Sequence, residues 1–213
     1  MNNSNKAYDY LYNEILSNRL LPGSPISEAD IASKLGLSRT PVREALKILD
    51  TEGLVKQIRN RGTFVTEISV HDIEEIFSLR ELFEIHSLKS AYKFISDETL
   101  DTIENKIRSL NKDDNQEKFF EIDEMLHSTI VNHCGNSRLI TFRNMINSQI
   151  KMIRRISAQD PTHFARSKEQ HLEIIDALKK RDLETSEKLL SNHIREIKAR
   201  TIEVLTYKMV RNQ

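Results

Sequence analysis

Apolar positions recur at helical spacing over most of this chain, and polar turn residues separate the runs into elements. Tyr8, Leu11, Tyr12, Ile15 and Leu16 share one side of a helix predicted from about Lys6 to Asn18. Leu20-Leu21-Pro22-Gly23-Ser24-Pro25 interrupts it with strong turn chemistry. Ser27-Glu28-Ala29-Asp30 then reads as a capped helix start, with Ile31, Ala32 and Leu35 on the buried face and Gly36 at its end. A third helix follows directly. Ser38 is expected to cap it with its side chain, Pro41 sits in its first turn, and Val42, Ala45, Leu46 and Leu49 form its apolar stripe up to Gly53. The runs Leu54–Ile58 and Gly62–Thr66 are β-prone and predict a hairpin turning at Asn60–Gly62.

From Ser69-Val70-His71-Asp72 onward, the pattern is helical nearly to the end. Helices are predicted at about 70–93, 97–111, 116–133, 137–157, 161–180 and 183–210, with breaks at Ser96-Asp97, Asn111–Asn115, Gly135-Asn136, Asp160-Pro161 and Arg181-Asp182. The stripes Ile73, Ile76, Phe77, Leu79, Phe83 and Ile194, Ile197, Thr201, Val204, Leu205 face a common core. The fold class is therefore mainly α, in two domains. Residues 1–68 form a winged helix-turn-helix of three helices plus a β-hairpin, and residues 69–213 form an all-α six-helix bundle.

Composition sharpens this picture at a few points. Only 5 Gly and 4 Pro in 213 residues agree with a helical chain. The formal net charge is zero, so total charge says nothing for a nucleic-acid partner. Its distribution does. Between Lys34 and Arg61 seven basic residues face three acidic ones, an excess suited to phosphate. Arg39 and Arg43 project from one face at the leading end of the third helix, as a helix entering the DNA major groove requires. The single cysteine, Cys134, excludes an intrachain disulfide. A polar N-terminus and the lack of a long apolar run predict a soluble, cytoplasmic protein with no membrane partner.

The second domain carries a candidate constellation. Asp123 and His127 lie four apart on one helix face, and His171 and His193 lie on stripes of later helices. If those helices pack around 116–133, one carboxylate and three imidazoles converge, a donor set suited to a divalent transition metal. The same residues also fit a bundle core with satisfied histidines. His71, His86, His133 and His163 are read as structural or exposed, and Cys134 as a small buried residue.

The order Pro22-Gly23, Leu35-Gly36-Leu37-Ser38-Arg39-Thr40-Pro41-Val42-Arg43-Glu44-Ala45-Leu46, Leu49, Gly53-Leu54-Val55 and Arg61-Gly62-Thr63-Phe64-Val65 resembles the DNA-binding domain of GntR-family bacterial transcription regulators. The resemblance implies DNA contacts by Arg39, Thr40 and Arg43, and a wing tip around Arg61 and Gly62 reaching an adjacent groove. Family members often carry a basic contact residue where this chain has Ala29. The Asp-x-x-Leu-His element with its two downstream histidines is similar to the FCD effector domain of the FadR-like branch. That likeness implies a metal held by Asp123, His127, His171 and His193, with zinc expected first and nickel or manganese as alternatives. It also makes Arg80, in Arg80-Glu81-Leu82-Phe83-Glu84, a candidate to pair with an effector carboxylate. On the residues alone, an interdomain or surface salt bridge suits Arg80 equally. Relatives often have Glu where this chain has Gln170, immediately before the second histidine.

The expectation is a transcription regulator, not an enzyme. It acts as a homodimer on a pseudo-palindromic double-stranded operator, its affinity set by a small carboxylate metabolite bound at the metal site. Two other readings stay open on sequence. One is a metal-dependent enzyme whose Asp123, His127, His171 and His193 activate water. The other is a metal-free regulator whose helical domain only dimerises.

Overall fold

The computed structural model describes residues 2–111, 114, 116–158 and 163–211, without the side chains of residues 163, 208 and 209. The described residues form ten helices and one three-stranded sheet, and they group into two compact units. No helix among them is long and apolar enough to cross a membrane.

The first unit contains residues 1–72 and 145–155. Helix α1 (Asn3–Leu16) buries Ala7, Leu11, Ile15 and Leu16. Strand β1 (Pro25–Ile26) follows the turn and precedes α2 (Glu28–Leu35), whose N-cap Ser27 accepts from Asp30 N–H at 3.2 Å. Gly36 ends α2 at φ +66°, a left-handed conformation that glycine adopts without a Cβ clash. Helix α3 (Arg39–Thr51) buries Val42, Ala45, Leu46 and Leu49. Ser38 occupies its N-cap with extended backbone, but its side chain makes no capping hydrogen bond, contrary to the sequence expectation. The other end closes as predicted: Gly53 takes φ +73°, and Leu54 N–H donates to Leu49 O at 2.9 Å. Strands β2 (Val55–Ile58) and β3 (Gly62–Val65) pair antiparallel, with Ile58 opposite Gly62, and β1 pairs with the other edge of β3. The hairpin is the predicted one. Strand β1 is an addition to it, because two residues between turns carry no strand signal.

The helix read as continuous over 137–157 is two helices, α7 (Ser137–Met145) and α8 (Asn147–Ser157), interrupted at Ile146. Most of α8 packs with the first unit. Met152 joins the same hydrophobic cluster as Leu11, Leu46 and Leu49. Glu52, the C-cap of α3, accepts from Tyr8 Oη at 2.9 Å and from Ser148 Oγ at 2.8 Å. Gln149 Nε2 donates to the Glu52 carbonyl at 3.2 Å. Burial and the adjacent Glu52 carboxylate push the Tyr8 phenol above its usual range.

The second unit contains residues 73–144 and 156–213. It is a bundle of six helices: α4 (Val70–Ala91), α5 (Asp97–Ser109), α6 (Gln116–Asn132), α7, α9 (His163–Lys179) and α10 (Leu183–Arg211). Ser69 and Asp72 form the predicted reciprocal cap before α4. Leu88, Leu100, Ile103, Leu126, Ile130, Ile174, Leu178, Leu190 and Ile194 fill the core. The break predicted at Asp160-Pro161, and most of that at Asn111–Asn115, lie outside the described residues.

One stripe departs from the apolar expectation. On α4 the buried line runs Ile73, Ile76, Phe77, Arg80, Glu84, Ser87, Leu88, Ala91, whereas Leu79 is exposed. Two charged residues hold the middle of a core-facing helix. They prepare the site.

Candidate metal centre and DNA-reading elements

Asp123 and His127 project inward from α6, His171 from α9 and His193 from α10, and all four side chains are buried. One ligand atom from each lies within 4.8 Å of every other. His171 Nε2 stands 3.2 Å from His193 Nε2 and 3.3 Å from Asp123 Oδ1, and His127 Nε2 stands 3.9 Å from Asp123 Oδ2. The three imidazoles therefore turn their Nε2 atoms toward one small volume.

The outer ring nitrogens explain this orientation. His127 Nδ1 meets Glu84 Oε2 at 2.7 Å, and His193 Nδ1 meets Gln170 Oε1 at 2.9 Å. Gln170 Nε2 in turn donates to Glu196 at 2.8 Å, so its oxygen is the end facing His193. Both imidazoles must then carry their proton on Nδ1 and turn an Nε2 lone pair inward. His127 Nε2 is buried without a hydrogen-bond partner. Converging lone pairs beside a carboxylate in a dry core repel one another, and a divalent cation relieves that repulsion. The residues fit a metal.

The electrostatics agree. Burial lowers the His127 pKa against the pull of Glu84, which favours the neutral imidazole a metal needs. Burial alone would raise Glu84. The charge of Arg80, the hydrogen bond from His127 and the charge of Arg143 outweigh it and hold the carboxyl below its usual range.

Arg80 is not on the surface. It is 1% exposed, and its Nε donates to Glu84 Oε1 at 2.9 Å. Arg80, Glu84 and His127 thus form a buried line ending at the cluster. Glu84 and Gln170 act on the ligands through this outer layer, and the sequence reading assigns Glu84 no role. The signal for it lies in the four-residue spacing of Arg80 and Glu84 on a stripe otherwise apolar. Among the other histidines, His71 and His86 are exposed and His133 donates to Thr129 O at 2.8 Å. The side chain of His163 lies outside the described ones, and Cys134 is buried and reduced.

In the first unit, Arg39 and Thr40 open α3 and are exposed, as is Arg43 one turn on. Arg61 and Gly62 are exposed at the β2–β3 turn, where Arg61 N–H donates to Ile58 O at 3.0 Å and Gly62 adopts φ +100°. Arg43 is engaged by Glu28 through two parallel bonds, Nη2–Oε2 at 2.7 Å and Nε–Oε1 at 3.2 Å. Sequence does not reveal this exposed pair, because fifteen residues and a turn separate its members. It holds Glu28 below the usual carboxylate range.

A winged helix-turn-helix unit with basic residues at the head of its third helix, in one chain with a helical bundle that buries an aspartate among three histidines, defines a class of DNA-binding regulators. Comparisons with known proteins agree. The family described as bacterial regulatory proteins, gntR family, matches residues 3–65, and the FCD domain matches residues 75–196. The chain belongs to the GntR family of transcriptional regulators, with an FCD domain as its C-terminal part; these are regulators, not enzymes.

Among its relatives, an HTH-type transcriptional regulator from an unstable DNA locus of Streptomyces ambofaciens is 29% identical over 196 residues, covering 92% of this chain and 83% of the relative. The fold is shared with E. coli McbR/YncC, at TM-score 0.80 and 18% identity, over 95% of this chain and 98% of that one. The Zn2+-bound FCD domain of TM0439 superimposes at TM-score 0.59 and 24% identity, over 65% of this chain and 97% of that one.

Proposed function

We propose that this regulator reads a pseudo-palindromic operator as a homodimer and that a metal-assisted carboxylate sensor sets its DNA affinity. Arg39, Thr40 and Arg43 are the base- and phosphate-contacting residues of the recognition helix, and Arg61 and Gly62 bring the wing to an adjacent groove. Asp123, His127, His171 and His193 hold one divalent ion, zinc before nickel or manganese because three imidazoles and one carboxylate suit it. With all four residues as ligands, an effector oxygen would join as an added fifth ligand, and a bound ion would supply Lewis-acid attraction for it. Arg80, held in place through its Nε by Glu84, pairs with the effector carboxylate. An effector that prefers one arrangement of the two reading heads shifts operator affinity by its differential binding. The boundary between reading and sensing segments falls near residue 68.

The observation that carries this proposal is the convergence of the four buried ligand atoms within 4.8 Å, with His127 and His193 oriented from outside by Glu84 and Gln170. The zinc-bound FCD domain of TM0439 supports the choice of ion. Selection of binding sites from a random DNA library, followed by titration with and without zinc and a panel of small carboxylic acids, tests it. The expected result is an inverted-repeat site whose affinity changes at least severalfold when acid and zinc are present together. A site without symmetry, or affinity indifferent to every combination, would overturn the reading.

A further inference from the structure

Arg143 is a guanidinium in a place where water does not reach. It lies on α7 at 2% exposure, and its Nη1 donates to Glu124 Oε1 at 2.8 Å. Its Nε and Nη2 are also buried, and neither has a hydrogen-bond partner. These two nitrogens share one edge of the planar group, the edge that meets two carboxylate oxygens with two parallel N–H···O bonds. Leaving two charged donors dry is costly, because a buried N–H that loses water must find another acceptor. Glu124 balances the charge from the other side but leaves this edge open.

The position of that edge matters as well. Glu124 is the residue next to Asp123 and lies three before His127 on α6. Through Glu124, Arg143 is tied to the helix that carries two of the four ligands. Arg80 spends its Nε on Glu84 and so braces the Glu84–His127 line.

We propose that the open Nε/Nη2 edge of Arg143 is a further anchor for a carboxylate in the sensor domain, beside Arg80, which also positions His127 through Glu84. The inference rests on the reading that this domain senses a small carboxylate, and it adds a partner for that carboxylate. The chemistry of that edge matches a small acid, whose head is planar and accepts two parallel N–H bonds.

The probe is acetate, with inorganic phosphate in parallel, and the readouts are zinc content and melting temperature of the full-length chain. Arg143→Lys keeps the charge opposite Glu124 but cannot present a fork. Zinc-loaded native protein is expected to melt higher as acetate is added. Arg143→Lys should hold the same zinc and respond with a midpoint raised roughly tenfold to hundredfold, as the loss of a charge-assisted bidentate contact implies. If Arg143→Lys loses zinc or fails to fold, the paired change Arg143→Gln with Glu124→Gln, which removes both charges together, is read by the same criteria. An unaltered acetate midpoint in the variant overturns the proposal, as does stabilisation of the native protein by phosphate but not acetate, or by neither. Zinc content reports separately on the metal reading. An acetate response lost in the variant with no zinc bound to either protein would sink the metal site and keep the anchor.

Discussion

Replacing Glu84 by Gln removes one charge from the buried line that ends at the metal cluster. Glu84 is fully buried, accepts from Arg80 Nε at 2.9 Å, and meets His127 Nδ1 at 2.7 Å. A glutamine has the same shape but only one acceptor oxygen. If that oxygen stays with His127, the amide NH2 faces the Arg80 guanidinium, donor against donor, and a buried cation is left without its counter-charge. Breaking one partner out of a buried pair costs about 3–5 kcal/mol. For a chain of this size, with about 2–4 °C per kcal/mol, that is a fall of roughly 6–20 °C in melting temperature. If the oxygen turns to Arg80 instead, His127 loses its orientation, and changes of this kind lower metal affinity by about 10–100-fold. One of the two losses must appear. The assay is a chelator-competition titration of zinc alongside a thermal melt of the metal-free protein, for native and Glu84→Gln. A variant that melts within a degree or so of native and binds zinc equally well would show that Glu84 neither balances Arg80 nor orients His127.

Other consequences concern the reading unit. Gly53→Ala places a Cβ on a residue at φ +73° and against the Gln149 side chain, so it should destabilise the chain by about 1–3 kcal/mol in denaturant titrations; a neutral result would show that α8 does not pack there in solution. Tyr8→Phe removes the phenol that donates to Glu52 and should cost about 0.5–1.5 kcal/mol by the same measurement. Glu28→Gln releases Arg43 from its exposed partner and removes a negative charge beside the recognition helix. Affinity for random duplex DNA should rise severalfold, most at low salt. A fall would mean that Glu28 positions Arg43 for contact instead of competing for it.

The recurrence of apolar residues makes most helices legible, and the chemistry of Ser27, Ser69, Gly36 and Gly53 marks their ends. The four-residue spacing of Asp123 and His127, with His171 and His193 on later stripes, exposes the cluster to a reading of the chain alone. What escapes such a reading does so for physical reasons. The stripe over 137–157 stays amphipathic through Ile146, so periodicity cannot show that α8 packs on α1 and α3. Ser38 has the right residue type and backbone for a cap, but a hydroxyl at an exposed helix start is not bound to use it. Leu79, Phe83 and their neighbours allow two registers of α4, and the apolar one hides the buried Arg80 and Glu84. Glu28–Arg43 and Glu124–Arg143 join different helices, and no local pattern reports such pairs.

The central claim is that the convergence of Asp123, His127, His171 and His193 is a metal site. The most direct test is a metal inventory of protein purified without chelators, with melts of native, His127→Ala and His171→Ala before and after chelation. The expected result is about one divalent ion per native chain, loss of that ion in both variants, and a native melting temperature that chelation lowers and zinc restores. Native protein that carries no metal after incubation with zinc, nickel or manganese, and melts the same with or without chelator, would contradict it.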